Sequence, residues 1–259
     1  MSTILFDKII YGPLRSRRLG LSLGVNLFPN DGKLCNFNCI YCECGYNEDF
    51  RPHTAMPQRE DVKAALSEQL RKMQKEEQPP DVITFAGNGE PTMHPDFAEI
   101  IEDTIALRNE YCQTARIAVL SNSTMLHKPT VFAALRRVDD CLLKVDSVLD
   151  KRIQQINVPN QPYFTYQKLI GDLCRFEGNL IIQTMFLKGE KNGESVDNTT
   201  TEEVDGWVEA LKKIRPRKVM IYTIDRETPL KTLQKVSKEE LEAIADKARA
   251  EGFEVSVSA

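Results

Sequence analysis

The sequence predicts an α/β fold in which helices cover a largely parallel sheet, and three observations carry that expectation. Short β-rich apolar runs alternate with helical patterns over almost the whole length, as strand–helix–strand units require. The 259 residues are 41% hydrophobic and 28% charged, the composition of a chain that can bury a full core without disulfide staples. The longest uncharged apolar run, residues 179–187, falls far short of the ~20 residues that a membrane-spanning helix needs.

The elements follow in order. The first β-rich run is residues 21–28, and a helical pattern occupies 58–75. The strand at 82–86, Val-Ile-Thr-Phe-Ala, precedes a helix at 96–109. A strand at 117–120 leads to a helix at 129–136, and one at 142–145 to a helix at 166–175. The run at 180–187 precedes a helix at 201–214, where Val204, Trp207, Val208, Leu211 and Ile214 recur at three- and four-residue steps and form one buried face. Thr200 with Glu203 reads as its capping box. Strands at 219–224 and 253–257 flank a last helix at 238–251. This alternation fits a doubly wound sheet or a complete or partial barrel. With no internal repeat, low-complexity tract or linker, a single domain over residues 1–259 is expected.

Two connections are long, 147–165 and 188–200. Both follow strands and so lie at the carboxyl ends, where ligands of parallel sheets bind. The second, polar and carrying Gly189 and Gly193, is expected to be a mobile lid.

Charge and cysteine usage narrow the class. Lys plus Arg number 34 and Asp plus Glu 38, a net charge of -4 with no global attraction to nucleic acid. Arg15, Arg17 and Arg18 form a short basic cluster. The start of the chain, MSTILFDKII, lacks the basic flank and apolar core of a signal peptide, so a cytoplasmic protein away from membranes is expected. Seven cysteines is an odd number, and four of them stand in residues 35–44. Such clustering points to a soft metal centre rather than a disulfide framework. A zinc site with Cys44 as fourth ligand is one arrangement, and an iron–sulfur cluster held by three thiolates is another.

Cys35, Cys39 and Cys42 form C-x3-C-x2-C with Tyr41 before the last cysteine, and this resembles the cluster motif of the radical S-adenosylmethionine superfamily. Gly87-Asn88-Gly89-Glu90-Pro91 is similar to that superfamily's glycine-rich motif for the methionyl amine. The tracts from Tyr11 to Gly20 and FAGNGEPTMHP, LSNST, KVDS, TMFLKG and IYTIDRETP resemble a branch related to wyosine tRNA-modifying enzymes. The resemblance implies a partial (β/α) barrel of about six parallel strands, with the cysteine loop after the first strand and the glycine motif ending the second. It implies one [4Fe–4S] cluster on Cys35, Cys39 and Cys42, with S-adenosylmethionine as its partner. Gly87, Asn88, Gly89 and Glu90 would bind the methionyl amine. Ser121, Asn122 and Asp146, with Gln183, would serve the ribose and carboxylate, and Tyr41 and Tyr222 would flank the adenine.

Cys44 is given no ligand role, and Lys144 and Lys188 are read as solvated or ion-paired rather than as Schiff-base lysines. The function implied is reductive cleavage of S-adenosylmethionine to a 5′-deoxyadenosyl radical that takes hydrogen from a small molecule or nucleoside. A low-potential donor such as flavodoxin or ferredoxin would supply the electron. A wyosine-like tRNA modifier and an activating enzyme for a glycyl-radical protein are the alternatives. The absence of a second cysteine cluster near the C-terminus argues against a maturase with auxiliary clusters.

Overall fold

The computed structural model describes residues 4–16 and 19–259. Arg17 and Arg18 lie outside the described residues, and Arg15 is exposed. The chain opens with a hairpin, β1 (Ile10–Ser16) against β2 (Gly20–Val25), of which only β2 is expected from the sequence. Then α1 (Arg59–Lys75), β3 (Val82–Phe85), α2 (Phe97–Tyr111) and β4 (Arg116–Ser121) follow. Next come α3 (Pro129–Leu135), β5 (Asp140–Lys144), α4 (Asp150–Ile156), α5 (Tyr166–Cys174) and β6 (Ile181–Met185). The short strands β7 (Leu187–Lys191) and β8 (Glu194–Asp197) precede α6 (Thr201–Ile214), β9 (Lys218–Tyr222), β10 (Gln234–Lys235), α7 (Lys238–Ala250) and β11 (Val255–Ser258).

The main sheet has eight strands in the order β1-β2-β3-β4-β5-β6-β9-β11. All pairs from β2 onward are parallel, so seven parallel strands replace the expected six or so. The two end strands do not pair, which leaves the curled sheet as a partial barrel.

Alternation along each strand divides the core. Ile83, Phe85, Ile117, Val119, Leu143, Ile182, Val219 and Ile221 belong to the main core beneath the helices. On the opposite face Val82, Ala118, Leu142, Ile181 and Met220, one from each of five adjacent strands, pack with Leu19 into a separate apolar layer. That layer fills the barrel near the amino ends of its strands, as side-chain layers do in closed barrels. Two residues further along, the same face carries Thr84, Leu120, Lys144, Gln183 and Tyr222. The polar content of the interior therefore rises toward the carboxyl rim.

Both long connections differ from expectation. Residues 147–165 contain α4 and then dock on the cysteine loop. Asn38 N donates to Asn157 O at 2.9 Å, Ile40 N to Ile156 O at 2.9 Å and Asn160 N to Asn36 O at 3.0 Å. Phe37 and Phe164 also meet edge to face with centroids 5.2 Å apart. Residues 188–200 are not a free lid, because β7, β8 and β10 form a three-stranded antiparallel sheet. Gly189 and Gly193 serve this hairpin. Gly193, at φ +79°, lies in its turn, and a Cβ on Gly189 would stand 2.7 Å from the Thr232 carbonyl oxygen. A polar residue, Asn198, anchors the hairpin. Its Oδ1 accepts from Leu187 N at 2.8 Å, and its Nδ2 donates to Asp146 O and Met185 O at 2.7 Å each.

Asn198 is 1% exposed, so Asn198→Ala leaves a buried N–H and two carbonyls short of partners. We expect a loss of about 2 kcal/mol, read from the urea midpoint, together with faster amide exchange across β7 and β8. Unchanged exchange there would mean that Asn198 does not hold the hairpin.

The capping box at α6 forms only in half. Thr200 Oγ1 accepts from Glu203 N at 3.3 Å. The Glu203 carboxylate turns instead to Ser147 Oγ at 2.8 Å and Val148 N at 3.0 Å, securing the chain just after β5.

Candidate active site at the carboxyl rim

The cysteine loop follows β2 and is fixed at both ends by backbone pairing. Leu34 forms a parallel bridge with Gly89, Leu34 N donating to Asn88 O at 2.9 Å and Glu90 N to Leu34 O at 3.3 Å. Further along, Cys42 N closes a turn on Cys39 O at 3.1 Å, and Ile4 N donates to Glu43 O at 3.0 Å. The loop and the glycine motif thus lie on the same rim, joined directly.

Each expected thiol has polar company. Cys35 Sγ accepts from Phe37 N at 3.4 Å and lies 3.8 Å from Asn122 Nδ2. Cys39 Sγ accepts from Asn157 Nδ2 at 3.5 Å. Burial pushes the Cys39 thiol up to about 11, against the opposing pull of Lys144, and it pushes Cys35 up as well. A hydrogen bond between Cys42 and Cys44 draws the Cys42 thiol down and drives Cys44 up. Cys44 Sγ also donates to Gly87 O at 3.5 Å. Among the described residues no three His, Cys, Asp or Glu side chains converge on a single ion-sized point. A cubane offers each thiolate its own iron and does not require that convergence.

The glycine motif is built for close approach. A Cβ on Gly89 would stand 1.8 Å from Leu34 O, and one on Gly87, at φ +149°, 2.5 Å from Asn26 Oδ1. Asn88 is turned to the N-terminal segment. Its Nδ2 donates to Phe6 O and Pro29 O at 2.9 Å each, and its Oδ1 accepts from Phe6 N at 2.8 Å. Glu90 is 3% exposed and accepts from Ser121 Oγ at 2.8 Å, Asn122 N at 2.7 Å and Thr92 Oγ1 at 2.5 Å. Burial raises its carboxyl above the usual range although these donors oppose the shift. Glu90 thereby ties the turn after β3 to the end of β4. Asn122 in turn donates to Asn36 Oδ1 at 2.7 Å, inside the cysteine loop.

A second network centres on Asp146, just beyond β5. Its Oδ2 accepts from Tyr41 Oη at 2.5 Å and Asn157 Nδ2 at 2.7 Å, and its Oδ1 from Met185 N at 3.0 Å. Lys144 Nζ donates to Tyr41 Oη at 2.6 Å and stands 3.6 Å from Asp146. Burial disfavours the Lys144 ammonium, yet Asp146, Tyr222 and Cys39 together hold its affinity for the proton above the ordinary value. Tyr41 and Tyr222 line one small cavity of about 60 Å³ with Met185 and Ser258, bordered by the 2.6 Å pair of Glu43 and Arg226. Gln183 is buried on the adjacent strand, where Val145 N donates to its carbonyl at 3.0 Å. Lys188 is paired with Glu240 at 2.6 Å, on the small sheet.

One rim therefore gathers the cysteines, the glycine motif, Ser121, Asn122, Asp146, Gln183, Tyr41 and Tyr222. Sequence reasoning missed Lys33, Asn36 and Asn157. Lys33 is 3% exposed and donates to Gly45 O at 2.6 Å. Burial disfavours its charge, but Cys42, Cys35, Cys39 and Cys44 outweigh that and raise its proton affinity. A lysine two residues before a cysteine carries no signal of burial, and the two asparagines become visible only when the loops meet.

The family profile described as "Radical SAM superfamily" matches residues 30–198. A "UPF0026 protein" of Helicobacter pylori strain J99 is 30% identical over 237 residues, covering 90% of this chain and 71% of that protein. Streptococcus suis SuiB bound to S-adenosylmethionine superposes with TM-score 0.66 at 12% identity, over 91% of this chain and 50% of that one, so the chain spans half the length of that solved protein. TYW1 with a lysine-pyruvate adduct bound gives TM-score 0.60 at 14% identity, over 90% and 74% respectively. These last two likenesses concern the fold. The profile match takes in both the cysteine loop and the glycine motif that the structure joins, and the chain belongs to the radical S-adenosylmethionine superfamily, enzymes that carry a [4Fe–4S] cluster and use S-adenosylmethionine.

Proposed function

We propose that residues 1–259 form one cytoplasmic domain in which Cys35, Cys39 and Cys42 hold a single [4Fe–4S] cluster. Its substrate is a small molecule or nucleoside, and a flavodoxin- or ferredoxin-like donor supplies the electron. The observation that carries this reading is the direct bridge between Leu34 and Gly89, which sets the cysteine loop against the glycine motif. The donor chemistry fits the group as well, because Phe37 N and the amide side chains of Asn122 and Asn157 point at sulfur. Such donors stabilise thiolates and tune iron–sulfur centres. The chemistry supplied when both cofactors are bound is one-electron cleavage of S-adenosylmethionine to methionine and a 5′-deoxyadenosyl radical, which abstracts hydrogen from the substrate.

The chain's own residues bind, orient and exclude water. Gly87 and Gly89 let Asn26 and Leu34 close against the motif whose backbone would meet the methionyl amine. Asn88 has only the second lone pair of its carbonyl to offer, because its side chain is engaged elsewhere, its N–H donates to Asn26 Oδ1 at 3.0 Å and its carbonyl already accepts from Leu34 N at 2.9 Å. Glu90 orients Ser121 and Asn122 toward the ribose and carboxylate. Asp146, fixed by Tyr41, Asn157 and Met185 N, presents a rigid acceptor beside them. Gln183 and Tyr222 face the interior, and Tyr41 with Tyr222 flanks the adenine. The apolar layer around Leu142 and Met220 closes the barrel below, and the hairpin pinned to Asp146 O and the end of α4 docked on the cysteine loop give the rim fixed borders that help keep water from the radical.

The test is an anaerobic screen of deuterated metabolites and nucleosides, with RNA in parallel, for label entering 5′-deoxyadenosine. Label from a metabolite or nucleoside supports the proposal. Label from intact RNA alone moves the assignment to a tRNA-modifying enzyme.

A further inference from the structure

Lys33 is a buried cation for which the site described above has no use. Its side chain reaches under the cysteine loop and donates to Gly45 O at 2.6 Å, at the turn that Gly45 N closes on Cys42 O at 2.9 Å, and it lines one depression with Cys35. Among the described residues no carboxylate lies within ion-pair distance of its Nζ. Glu48, which lines the same surface depression, is instead bound to Asn38 Nδ2 at 2.9 Å. Lys144, the other ammonium near the cysteines, differs in having Asp146 as counter-charge at 3.6 Å.

A buried ammonium with only a carbonyl for company is costly, and natural interiors pair such charges. The negative charge available to Lys33 is that of the cysteine thiolates. We propose that Lys33 is a positioning residue for electron transfer: a fixed positive charge that raises the reduction potential of the cluster held by Cys35, Cys39 and Cys42. This inference rests on the cluster assignment proposed above.

The redox step is the gain of one electron by the oxidised 2+ core to give the 1+ core, the electron coming from a low-potential one-electron donor, with no bond formed or broken. Reduction adds one negative charge to a centre already made negative by three thiolates. A cation beneath the cysteine loop favours the reduced form, since the net charge around the cluster helps to set these potentials. Without that charge, entry of the electron from the donor becomes harder, and cleavage of S-adenosylmethionine slows even though no group touching it has changed.

The test is an EPR-monitored titration with dithionite, without S-adenosylmethionine, of anaerobically reconstituted wild type, Lys33→Gln and Lys33→Arg. Glutamine keeps a donor for Gly45 O and removes the charge, whereas arginine keeps the charge. Lys33→Gln should disfavour the reduced state about tenfold, a fall of 59 mV for one electron, and Lys33→Arg should stay close to wild type. Equal potentials in all three proteins at full iron and sulfide content would overturn the proposal. So would loss of the cluster in Lys33→Gln and also in Lys33→Met, because the charge would then serve assembly rather than potential. A wild-type protein that takes up no [4Fe–4S] cluster fails the underlying assignment, and iron and sulfide analysis separates that outcome from a failure of the charge effect.

Discussion

Replacing Cys35, Cys39 or Cys42 with alanine is expected to abolish retention of the cluster and to reduce formation of 5′-deoxyadenosine to background. In the proposed assignment each thiol is one of three anchors, on a loop whose backbone is already fixed by Gly89, Ile156 and Ile4. The loop has little freedom to recruit a substitute sulfur. Cys44→Ala should behave differently: Cys44 Sγ is engaged with Gly87 O at 3.5 Å, and three ligands complete the motif. Asn157→Ala removes a donor to Cys39 Sγ and an anchor of Asp146, so it should fall between, at about a 10–100-fold loss. Iron and sulfide content, the EPR signal of the reduced protein and chromatography of 5′-deoxyadenosine measure all five variants. A Cys44→Ala protein without a cluster would show that the ligand set is drawn wrongly.

Gly89→Ala should be the most damaging single-methyl change at the site. The added Cβ would stand 1.8 Å from Leu34 O and 2.7 Å from Leu34 C. These are backbone atoms, so no rotamer change can relieve the clash. The Leu34–Gly89 bridge must open, and with it the contact that holds the cysteine loop to the glycine motif. A loss of about 3 kcal/mol or more is expected, at the upper end for overpacked sites, with poor retention of iron. Gly171→Ala is the control. It lies within α5, where an added methyl group would meet nothing inside 4 Å, and alanine there should be neutral or stabilising by about 0.5–1 kcal/mol. Urea midpoints of the two variants, with iron content, decide the matter. A Gly89→Ala protein as stable as wild type would remove the steric account of this glycine.

Much of the fold is legible in the sequence because parallel strands buried on both faces read as short β-branched runs, and the helices over them keep a clear period. The helix at 201–214 matches α6 to the residue, and the run at 82–86 contains β3 whole. β1 is hidden because Gly12, Pro13 and Arg15 interrupt its pattern. The small sheet is hidden because Lys188, Glu190, Lys191 and Glu194 look like solvated loop, while what anchors it is a buried side chain, Asn198, supported by Leu187 and Val196. In the site, cysteine spacing and a glycine-rich turn are local signals and can be read directly. Asn36 and Asn157 act across loops, and their placement depends on the docking of 157–165 onto 36–40, while Lys33 is placed by Gly45 O and Phe50 O further along its own loop. Glu90 is legible as part of its motif, but its work in joining β3 to β4 is not.

The most direct test of the central claim is a single anaerobic incubation of reconstituted wild-type protein with S-adenosylmethionine and dithionite. Four irons and four sulfides per chain are expected, with methionine and 5′-deoxyadenosine released in equal amounts and neither formed by the Cys39→Ala protein. Stoichiometric zinc without sulfide, or S-adenosylmethionine recovered intact from protein that carries its full cluster, would contradict the account.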